Sequence, residues 1–285
     1  MEIDLRHPEV IDVVRRALAE DIGSGDITTN ATVDAGLMAT GRFIARQPMT
    51  VCGVELAELV FEALGGVSFL GIHIHSGERA AAGDVLATVR GPARTLLTGE
   101  RVALNFQQRL SGIATHTRKH TDAVAGTGCR ILDTRKTTPG LRRLEKWATG
   151  CGGAKNHRIG LFDAVLIKNN HITAAGGVRE ALERVRSAGV PEGVEVEIEV
   201  RTRKELEEAM TFGADHLLLD NLTPDEAAEW VRFIAGRATV ELSGGMRLEK
   251  LREYASTGAN FISVGALTHS AISVDINFRV SLEAA

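Results

Sequence analysis

The stretch VEVEIEVRTRKELEEAMTFGADHLLLD, residues 194–220, holds two short apolar-rich runs, at 194–200 and 216–220, separated by a helical pattern at 203–212. Short buried strands that alternate with amphipathic helices are typical of a parallel sheet. Further runs lie at 130–133, 164–168, 239–243 and 261–264, and further helical patterns lie at 178–188, 224–235 and 248–256. The chain after Gly128 is therefore predicted to form a parallel α/β sheet, either doubly wound or a (β/α) barrel. No G-x-G-x-x-G follows a run, which disfavours the dinucleotide-binding version.

A barrel places its active site at the C-terminal ends of its strands. The residues at those ends are Asp133 with Arg135 and Lys136, then Lys168, Glu199, Asp220, Ser243 with Gly244 and Gly245, and finally Gly265. Nearly every predicted strand thus ends in a residue that could bind a ligand or take part in catalysis. Together they predict one polar site, with cations on one side and two carboxylates on the other.

Positive charge is concentrated in DTRKTTPGLRRLEKWATGCGGAKNHRIGLFDAVLIKNNH, residues 133–171, although the whole chain has a net charge of −4. Its basic residues are Arg135, Lys136, Arg142, Arg143, Lys146, Lys155, His157, Arg158 and Lys168. Arginine offers a planar fork to carboxylates or phosphates, and lysine offers a compact charge. The alternative is a solvated basic face with surface ion pairs. We favour a pocket for a small anion because the charges are predicted at strand-to-loop junctions and not on one helical stripe. With a pI of 6.2 and 4% aromatics, no nucleic-acid partner is expected.

Two carboxylates at strand ends suit a hard divalent cation such as Mg²⁺ held jointly with substrate phosphates. Ser243, Gly244, Gly245 and Gly265 follow the last two predicted strands, where barrels commonly bind a phosphate on backbone N–H groups. The residues therefore indicate an acidic substrate, a metal and a phosphorylated sugar.

The first half of the chain shows a different pattern of predicted helices and strands. Helical patterns are expected at 9–20, 55–64 and 98–125, β-prone runs at 39–54, and a loop at 20–30 (EDIGSGDITTN). Residues 71–97 are punctuated by glycine like the hairpin sandwich of biotinyl and lipoyl carrier domains, but they contain no lysine that could carry such a cofactor. We therefore interpret them as scaffold, and the helix at 98–125 as a bridge to the second domain.

Composition limits the class of protein. The length of 285 residues allows two domains, or one barrel with an addition. No apolar run approaches the roughly 18 residues of a membrane span, and the N-terminus lacks the pattern of a signal peptide. The three scattered cysteines, Cys52, Cys129 and Cys151, are expected to be free thiols in a reducing cytoplasm.

At these residues the chain resembles the quinolinate phosphoribosyltransferase family. The matching blocks are EDIGSGDITTN, LNFQQRLSGIATHT, DTRKTTPGLR, NHRIGLFDAVLIKNNH, EIEV, LLLDN, LSGG and SVGALTHS. The resemblance implies an α/β fold: an N-terminal α/β sandwich over 1–110, joined by a C-terminal strand at about 275–285, and an open, incomplete β/α barrel over 111–274.

The resemblance also implies the reaction. The family transfers a phosphoribosyl group from phosphoribosyl pyrophosphate (PRPP) to the ring nitrogen of quinolinate, with decarboxylation. The products are nicotinate mononucleotide, pyrophosphate and CO₂, the cofactor is Mg²⁺, and the pathway is NAD biosynthesis.

The family's site residues carry over as expectations. Quinolinate is expected to meet Arg101, Thr134, Arg135, His157, Arg158 and Lys168. The expected catalytic residues are Lys136, Glu199 and Asp220, and the last two are also expected to bind the metal, directly or through water. The phosphoribosyl donor is expected at Lys136, Ser243, Gly244, Gly245, Gly265 and His269. Arg101 is expected to come from a neighbouring subunit, which requires a homodimer or a larger homo-oligomer.

Two departures and three alternatives remain at this point. Asn169 stands where the family commonly has Asp, and ATGCGGAK (148–155) is looser than the usual glycine-rich run. A transferase for a single carboxylate such as nicotinate would need fewer cations. A Schiff-base aldolase would use Lys168 at its strand end, and borohydride trapping with a sugar phosphate would detect it. A binding protein without catalysis would lack Mg²⁺-dependent turnover.

Overall fold

The structure is a computed structural model that describes residues 3–282. The chain divides into two compact units. The first comprises the described residues up to 118, together with 137–153 and 266–282; the second comprises 119–136 and 154–265.

The described chain contains twelve strands and eleven α-helices. The strands are β1 (Met38–Ala45), β2 (Met49–Thr50), β3 (Phe69–Ile72), β4 (Arg79–Ala80), β5 (Val85–Pro92), β6 (Arg130–Leu132), β7 (Val165–Ile167), β8 (Val196–Val200), β9 (His216–Asp220), β10 (Thr239–Ser243), β11 (Phe261–Ser263) and β12 (Ile276–Leu282). The helices are α1 (Pro8–Ile22), α2 (Ile27–Thr32), α3 (Leu56–Ala63), α4 (Ala93–Ala123), α5 (Arg142–Cys151), α6 (Asn169–Ala175), α7 (Val178–Ser187), α8 (Arg203–Thr211), α9 (Pro224–Ile234), α10 (Leu251–Ala255) and α11 (Ala266–His269). A 3₁₀ turn, Leu248–Lys250, precedes α10.

The first unit is built on an antiparallel sheet with the strand order β12-β1-β5-β3. The last strand of the chain pairs with β1, from Ala39 opposite Leu282 to Ala45 opposite Ile276. Phe43 on β1 and Phe278 on β12 pack in the core with ring centroids 4.6 Å apart. Aromatic packing of this kind holds the C-terminal strand on the sheet.

The second unit is a six-stranded parallel sheet in the order β7-β8-β9-β10-β11-β6. Consecutive strands are neighbours except that β6 lies beside β11, so the sheet has the order of a barrel left open between β6 and β7. Lys155 adds an isolated parallel bridge to Leu132 on β6. The predicted α/β class, an N-terminal mixed domain followed by an open parallel sheet, is confirmed.

Helix caps set the turns that follow the central strands. The Thr202 hydroxyl oxygen accepts a hydrogen bond from the N–H of Glu205, and the N–H of Thr202 donates to the Glu205 carboxylate. This pair of hydrogen bonds starts α8 shortly after β8. Thr223 and Glu226 form the same reciprocal box at the start of α9. Such T-x-x-E boxes satisfy two backbone donors at once. The turns after β8 and β9 are therefore short, and they hold the strand ends in place.

Two predictions about local structure were wrong. The expected loop at 20–30 gives way to α2, because the Asp26 side chain accepts the N–H of Thr29 at 2.9 Å and initiates a helix. The second error concerns the basic stretch, since Arg142, Arg143 and Lys146 lie on α5 in the first unit and not at strand junctions. The predicted anion pocket thus keeps only part of its charge. Within residues 3–282, no helix combines the length and apolar composition needed to cross a membrane.

Candidate active site

A cavity of about 430 Å³ opens in the second unit at the C-terminal ends of its strands. We call it the anion cavity. The predicted site residues that line it are Thr134, Arg135, Lys136, His157, Arg158, Lys168 and Ser243. Three leucines, Leu161, Leu166 and Leu218, add apolar surface to its wall. Convergent charges beside a small apolar surface are suited to a flat, acidic ligand.

The cations of the anion cavity lie close enough to repel each other. Burial, followed by the like charge of Arg135, lowers the pKa of Arg158. The Arg158 guanidinium is held by its Nη1, which donates to the carbonyl of Ala164 at 3.0 Å. Because the two partly buried guanidinium groups carry like charges, an anionic ligand would relieve their repulsion.

Asp133 fixes the segment that carries His157 and Arg158. Its carboxylate is completely buried and accepts the backbone N–H of His157 at 2.8 Å and Nδ2 of Asn156 at 2.7 Å. Lys155, just before, exchanges backbone hydrogen bonds with Ile131 and Asp133. The role of Asp133 in this structure is therefore to anchor the backbone beside β6.

Local hydrogen bonds also fix the turn after Arg158 and the end of β7, both of which border the anion cavity. In the turn after Arg158, Asp163 accepts the N–H groups of Ile159 and Gly160 at 2.7 and 2.8 Å. At the end of β7, the N–H of Lys168 donates to Nδ1 of His171 at 2.9 Å, where α6 begins. Asn169 is the first residue of that helix. The K-x-x-H spacing thus fixes the backbone from which the Lys168 side chain projects.

Three side chains, which we call the inner cluster, lie close together: His157 and Glu241, which line the anion cavity, and Glu197. Nε2 of His157 is 3.0 Å from Oε2 of Glu197 and 3.6 Å from Oε2 of Glu241. Burial, followed by the charge of Glu197, raises the pKa of Glu241 to about 8. The sequence analysis missed both glutamates. The signal was present in the alternation of E-I-E-V, which puts Glu197 on the same face of β8 as Glu199.

Glu199 and Asp220, which we call the outer carboxylates, lie apart from the lining of the anion cavity and share one arginine. Nη2 of Arg201 is 2.6 Å from Oε1 of Glu199, and its Nε is 3.4 Å from Oδ2 of Asp220. Two carboxylates that converge on one guanidinium can also converge on a metal cation, and carboxylate oxygens are the donors that Mg²⁺ prefers. The residues present therefore fit the expected metal.

The turn after β10 brings the backbone unusually close to the end of β9. Asn221 has a φ of 60° and its N–H donates to the carbonyl of Ser243 at 3.0 Å. Gly244 has a φ of +98°, and a Cβ built on it would lie 2.3 Å from Oδ1 of Asn221. Only glycine fits both the conformation and the space. Gly245 and Gly265 belong to the same unit, at the ends of the last two strands.

Two predicted site residues belong to the first unit. Arg101 is an exposed residue of α4. His269 is the last residue of α11, and its Nδ1 lies 2.8 Å from the Ser270 hydroxyl. The remaining predicted residues all belong to the second unit.

Comparison with known proteins identifies the family. Residues 26–111 match the family model described as quinolinate phosphoribosyl transferase, N-terminal domain, and residues 113–279 match the model of its C-terminal domain. The chain belongs to the quinolinate phosphoribosyltransferase family. The resemblance found from the eight sequence blocks is confirmed, and so is the enzyme class that it implied.

Individual relatives of the quinolinate phosphoribosyltransferase family are similar over nearly the whole chain. The chain is 45% identical over 271 residues to the nicotinate-nucleotide pyrophosphorylase (carboxylating) of Mycobacterium leprae, covering 93% of this chain and 95% of the relative. It is 39% identical over 278 residues to the probable enzyme of that name from Bacillus subtilis, covering 98% and 96%. The solved nicotinate-nucleotide pyrophosphorylase of Francisella tularensis superposes with a TM-score of 0.92 at 37% identity, covering 98% of this chain and all of that one.

Proposed function

We propose that this chain catalyses the transfer of the phosphoribosyl group of PRPP to the ring nitrogen of quinolinate, with loss of CO₂, in NAD biosynthesis. The observation that carries the proposal is the composition of the anion cavity. Its wall combines the side chains of Arg135, Arg158 and Lys168 with apolar leucine surface. A pyridine ring with two carboxylates needs this combination, whereas nicotinate, with one carboxylate, needs fewer cations.

Quinolinate occupies the anion cavity in this proposal. Arg135, Arg158 and Lys168 bind its two carboxylates, and Thr134 and His157 adjoin them. Burial, followed by the charge of Arg135, lowers the pKa of Arg158, and a ligand of charge −2 offsets both effects. Leu166 on β7 and Leu218 on β9 supply apolar contact for the ring, and Leu161 covers it from the turn after Arg158.

The phosphoribosyl donor lies toward the strand ends. Ser243, Gly244, Gly245, Gly265 and His269 surround its 5′-phosphate, and Lys136 faces its pyrophosphate. The close approach of Gly244 to Asn221 supports this assignment, because backbone N–H groups in a tight glycine turn are common phosphate ligands.

Mg²⁺ is the cofactor that we propose for the outer carboxylates. Glu199 and Asp220 hold it, directly or through water, in place of the Arg201 guanidinium that they now share. When bound, Mg²⁺ neutralises the negative charge of the pyrophosphate leaving group. The donor set of two carboxylates supports this choice over a metal that prefers nitrogen or sulfur ligands.

The reaction follows from the charges of these residues. The ammonium of Lys136 stabilises the negative charge that develops as the bond between ribose C1 and pyrophosphate breaks. The carboxylates of Glu199 and Asp220 stabilise the positive charge that develops on the ribose. The nitrogen of quinolinate then bonds to C1, and the cationic ring accepts the electron pair of the C–C bond as the neighbouring carboxylate leaves as CO₂. A proton from solvent replaces the carboxylate on that carbon.

Assembly and location belong to the same proposal. Arg101 reaches the quinolinate site of a neighbouring subunit, so the working unit is a homodimer or a larger homo-oligomer. The exposed position of Arg101 on α4 supports such a role. The free thiols of Cys52, Cys129 and Cys151 support a reducing, cytoplasmic location.

The decisive experiment measures release of labelled CO₂ from quinolinate labelled at its 2-carboxylate, with purified protein and Mg²⁺, in the presence and absence of PRPP. Release that requires PRPP supports both the acid substrate and ribosylation before decarboxylation. Folded protein that releases no label contradicts the quinolinate assignment. The same assay with nicotinate as the acceptor, read out as nucleotide formation, would then test the transferase for a single carboxylate.

A further inference from the structure

Both ring nitrogens of His157 are engaged by the protein. Nδ1 accepts the backbone N–H of Arg158 at 2.7 Å, and a backbone N–H can only donate. Nδ1 is therefore unprotonated, and the ring carries its proton on Nε2. That proton is directed at Glu197, whose Oε2 is 3.0 Å away, with Oε2 of Glu241 at 3.6 Å. The inner cluster thus uses the one N–H of the neutral ring.

The two glutamates come from strands that are distant from the backbone of His157. His157 follows the bridge that Lys155 forms to the edge strand β6, whereas Glu197 is on β8 and Glu241 is on β10. Three strands separate β6 from β8 in the sheet order. His157 therefore links the backbone beside the edge strand β6 to side chains on β8 and β10. Both carboxylates are nearly inaccessible, with 11% and 5% of their side chains exposed.

Arg158 is the residue that this link controls. Its N–H is bonded to the His157 ring, and its guanidinium is bonded to Ala164 just before β7. We propose that Glu197 and Glu241 are positioning residues, which act through His157 to hold Arg158 where a substrate carboxylate binds. This inference rests on the proposed function, because Arg158 is assigned to quinolinate there.

A metal ion in the inner cluster is the competing interpretation. The three potential ligand atoms lie within 4.8 Å of one another, close enough for one cation. A histidine nitrogen that binds a metal must be unprotonated. Metal at Nε2 would move the ring proton to Nδ1 and break the hydrogen bond from Arg158. The hydrogen bonds therefore favour positioning over metal binding.

The first test is kinetic and uses Glu197→Gln. We expect the KM for quinolinate to rise about fivefold or more, because the neutral amide can accept the Nε2–H only in an uncharged hydrogen bond of about half the strength, while the KM for PRPP and the melting temperature stay close to wild type. Glu195→Gln, an exposed glutamate at the entry of the same strand, is the matched control and should change neither KM. An unchanged KM for quinolinate in Glu197→Gln would overturn the proposal, as would a uniform loss of activity with a large fall in melting temperature.

The second test is a double-mutant cycle. If Glu197 acts through His157, then adding Glu197→Gln to His157→Ala should raise the KM for quinolinate no further. Independent, multiplicative effects of the two changes would overturn the proposal. Glu241→Gln repeats the cycle, since Glu241 faces the same nitrogen of His157.

The third test does not depend on activity. In ¹⁵N-histidine NMR spectra, the ring signal that is absent from His157→Ala should show the Nε2–H tautomer in wild type and should shift in Glu197→Gln. An Nδ1–H tautomer of that same ring, or one equivalent of tightly bound metal that Glu241→Gln loses, would overturn the proposal. Wild type that does not turn over quinolinate contradicts the proposed function instead, and the ring spectrum then still decides whether the glutamates position His157.

Discussion

Replacing Arg109 with Met removes one partner of an ion pair whose other partner, Glu145, is completely buried. Nη2 and Nε of Arg109 lie 2.9 and 3.2 Å from Oε1 of Glu145. The same guanidinium donates to the carbonyls of Thr268 and Ala271, each at 2.8 Å. Glu145 also accepts the N–H and the hydroxyl of Thr138. Arg109 thus joins α4 and α5 to the segment that contains α11.

The expected loss in the free energy of unfolding follows from the groups that Arg109→Met leaves without a partner. Met fills much of the space of Arg, so the main penalty is a buried carboxylate that keeps, among the described residues, the two donors of Thr138. Breaking a buried ion pair by removing one partner costs about 3–5 kcal/mol. We expect the free energy of unfolding to fall by that amount. Because most of the penalty is uncompensated charge, adding Glu145→Gln should recover at least about 1 kcal/mol.

Urea unfolding followed by the fluorescence of Trp147 measures this change in the first unit. Trp147 is buried on α5, two residues after Glu145, and a Trp230→Phe background removes the other tryptophan. Arg143→Met is the control on the same helix. Arg143 pairs with the exposed Glu9 at 3.0 Å, so its loss should cost less than about 1 kcal/mol. The reasoning fails if Arg109→Met costs no more than the control, or if Glu145→Gln does not improve it.

Three further predictions concern the second unit. Lys136→Ala should lower turnover at least about tenfold but change the free energy of unfolding by less than about 0.5 kcal/mol, because the side chain is exposed; steady-state kinetics and urea unfolding measure both, and unchanged turnover removes Lys136 from the mechanism. Glu241 binds its proton more tightly in the folded state, with a pKa of about 8 against about 4.5 unfolded, so its contribution to stability is full below about pH 4.5 and falls as the pH rises to about 8. The stability of Glu241→Gln relative to wild type should therefore increase over that window, with a slope of at most about 1.4 kcal/mol per pH unit, and a flat difference contradicts the assignment. Gly244→Ala should raise the KM for PRPP and destabilise the protein by about 1–3 kcal/mol, since its Cβ would meet Asn221 and its φ is +98°; Gly245→Ala, which has open space around its Cβ position, should destabilise it less in the same unfolding experiment.

The central part of the second unit could be predicted from sequence because several local signals agree there. The runs at 216–220 and 239–243 coincide with β9 and β10, and T-x-x-E boxes mark the starts of α8 and α9. Helices α5 and α6 were missed for different reasons. The basic residues of α5 obscured its apolar face, and α6 (NNHITAA) is short, with its start fixed by the ring of His171.

Strand ends placed many of the candidate site residues, because the carboxyl ends of parallel strands meet at one side of the sheet. The same reasoning could not find Glu197 or Glu241, which lie within strands and not at their ends. A buried carboxylate needs a partner, but sequence alone does not say that His157, forty or more positions away, supplies it. Hydrogen bonds between distant segments depend on the tertiary structure. Neither the hydrophobic periodicity nor the composition of the sequence therefore predicts them.

The outer carboxylates, Glu199 and Asp220, can exchange the side chain that they share more easily than the inner pair, Glu197 and Glu241. The outer carboxylates share Arg201, whose side chain is 47% exposed and reaches them from the turn after β8. The inner carboxylates face His157, whose side chain is only 18% exposed and whose backbone is anchored by buried Asp133. Arg201 can turn to solvent when a metal cation takes its place between Glu199 and Asp220, whereas withdrawing His157 would leave two buried acidic groups without the partner that they share. The Mg²⁺ that we propose is therefore assigned to Glu199 and Asp220, and the inner cluster is better suited to holding the geometry of the anion cavity.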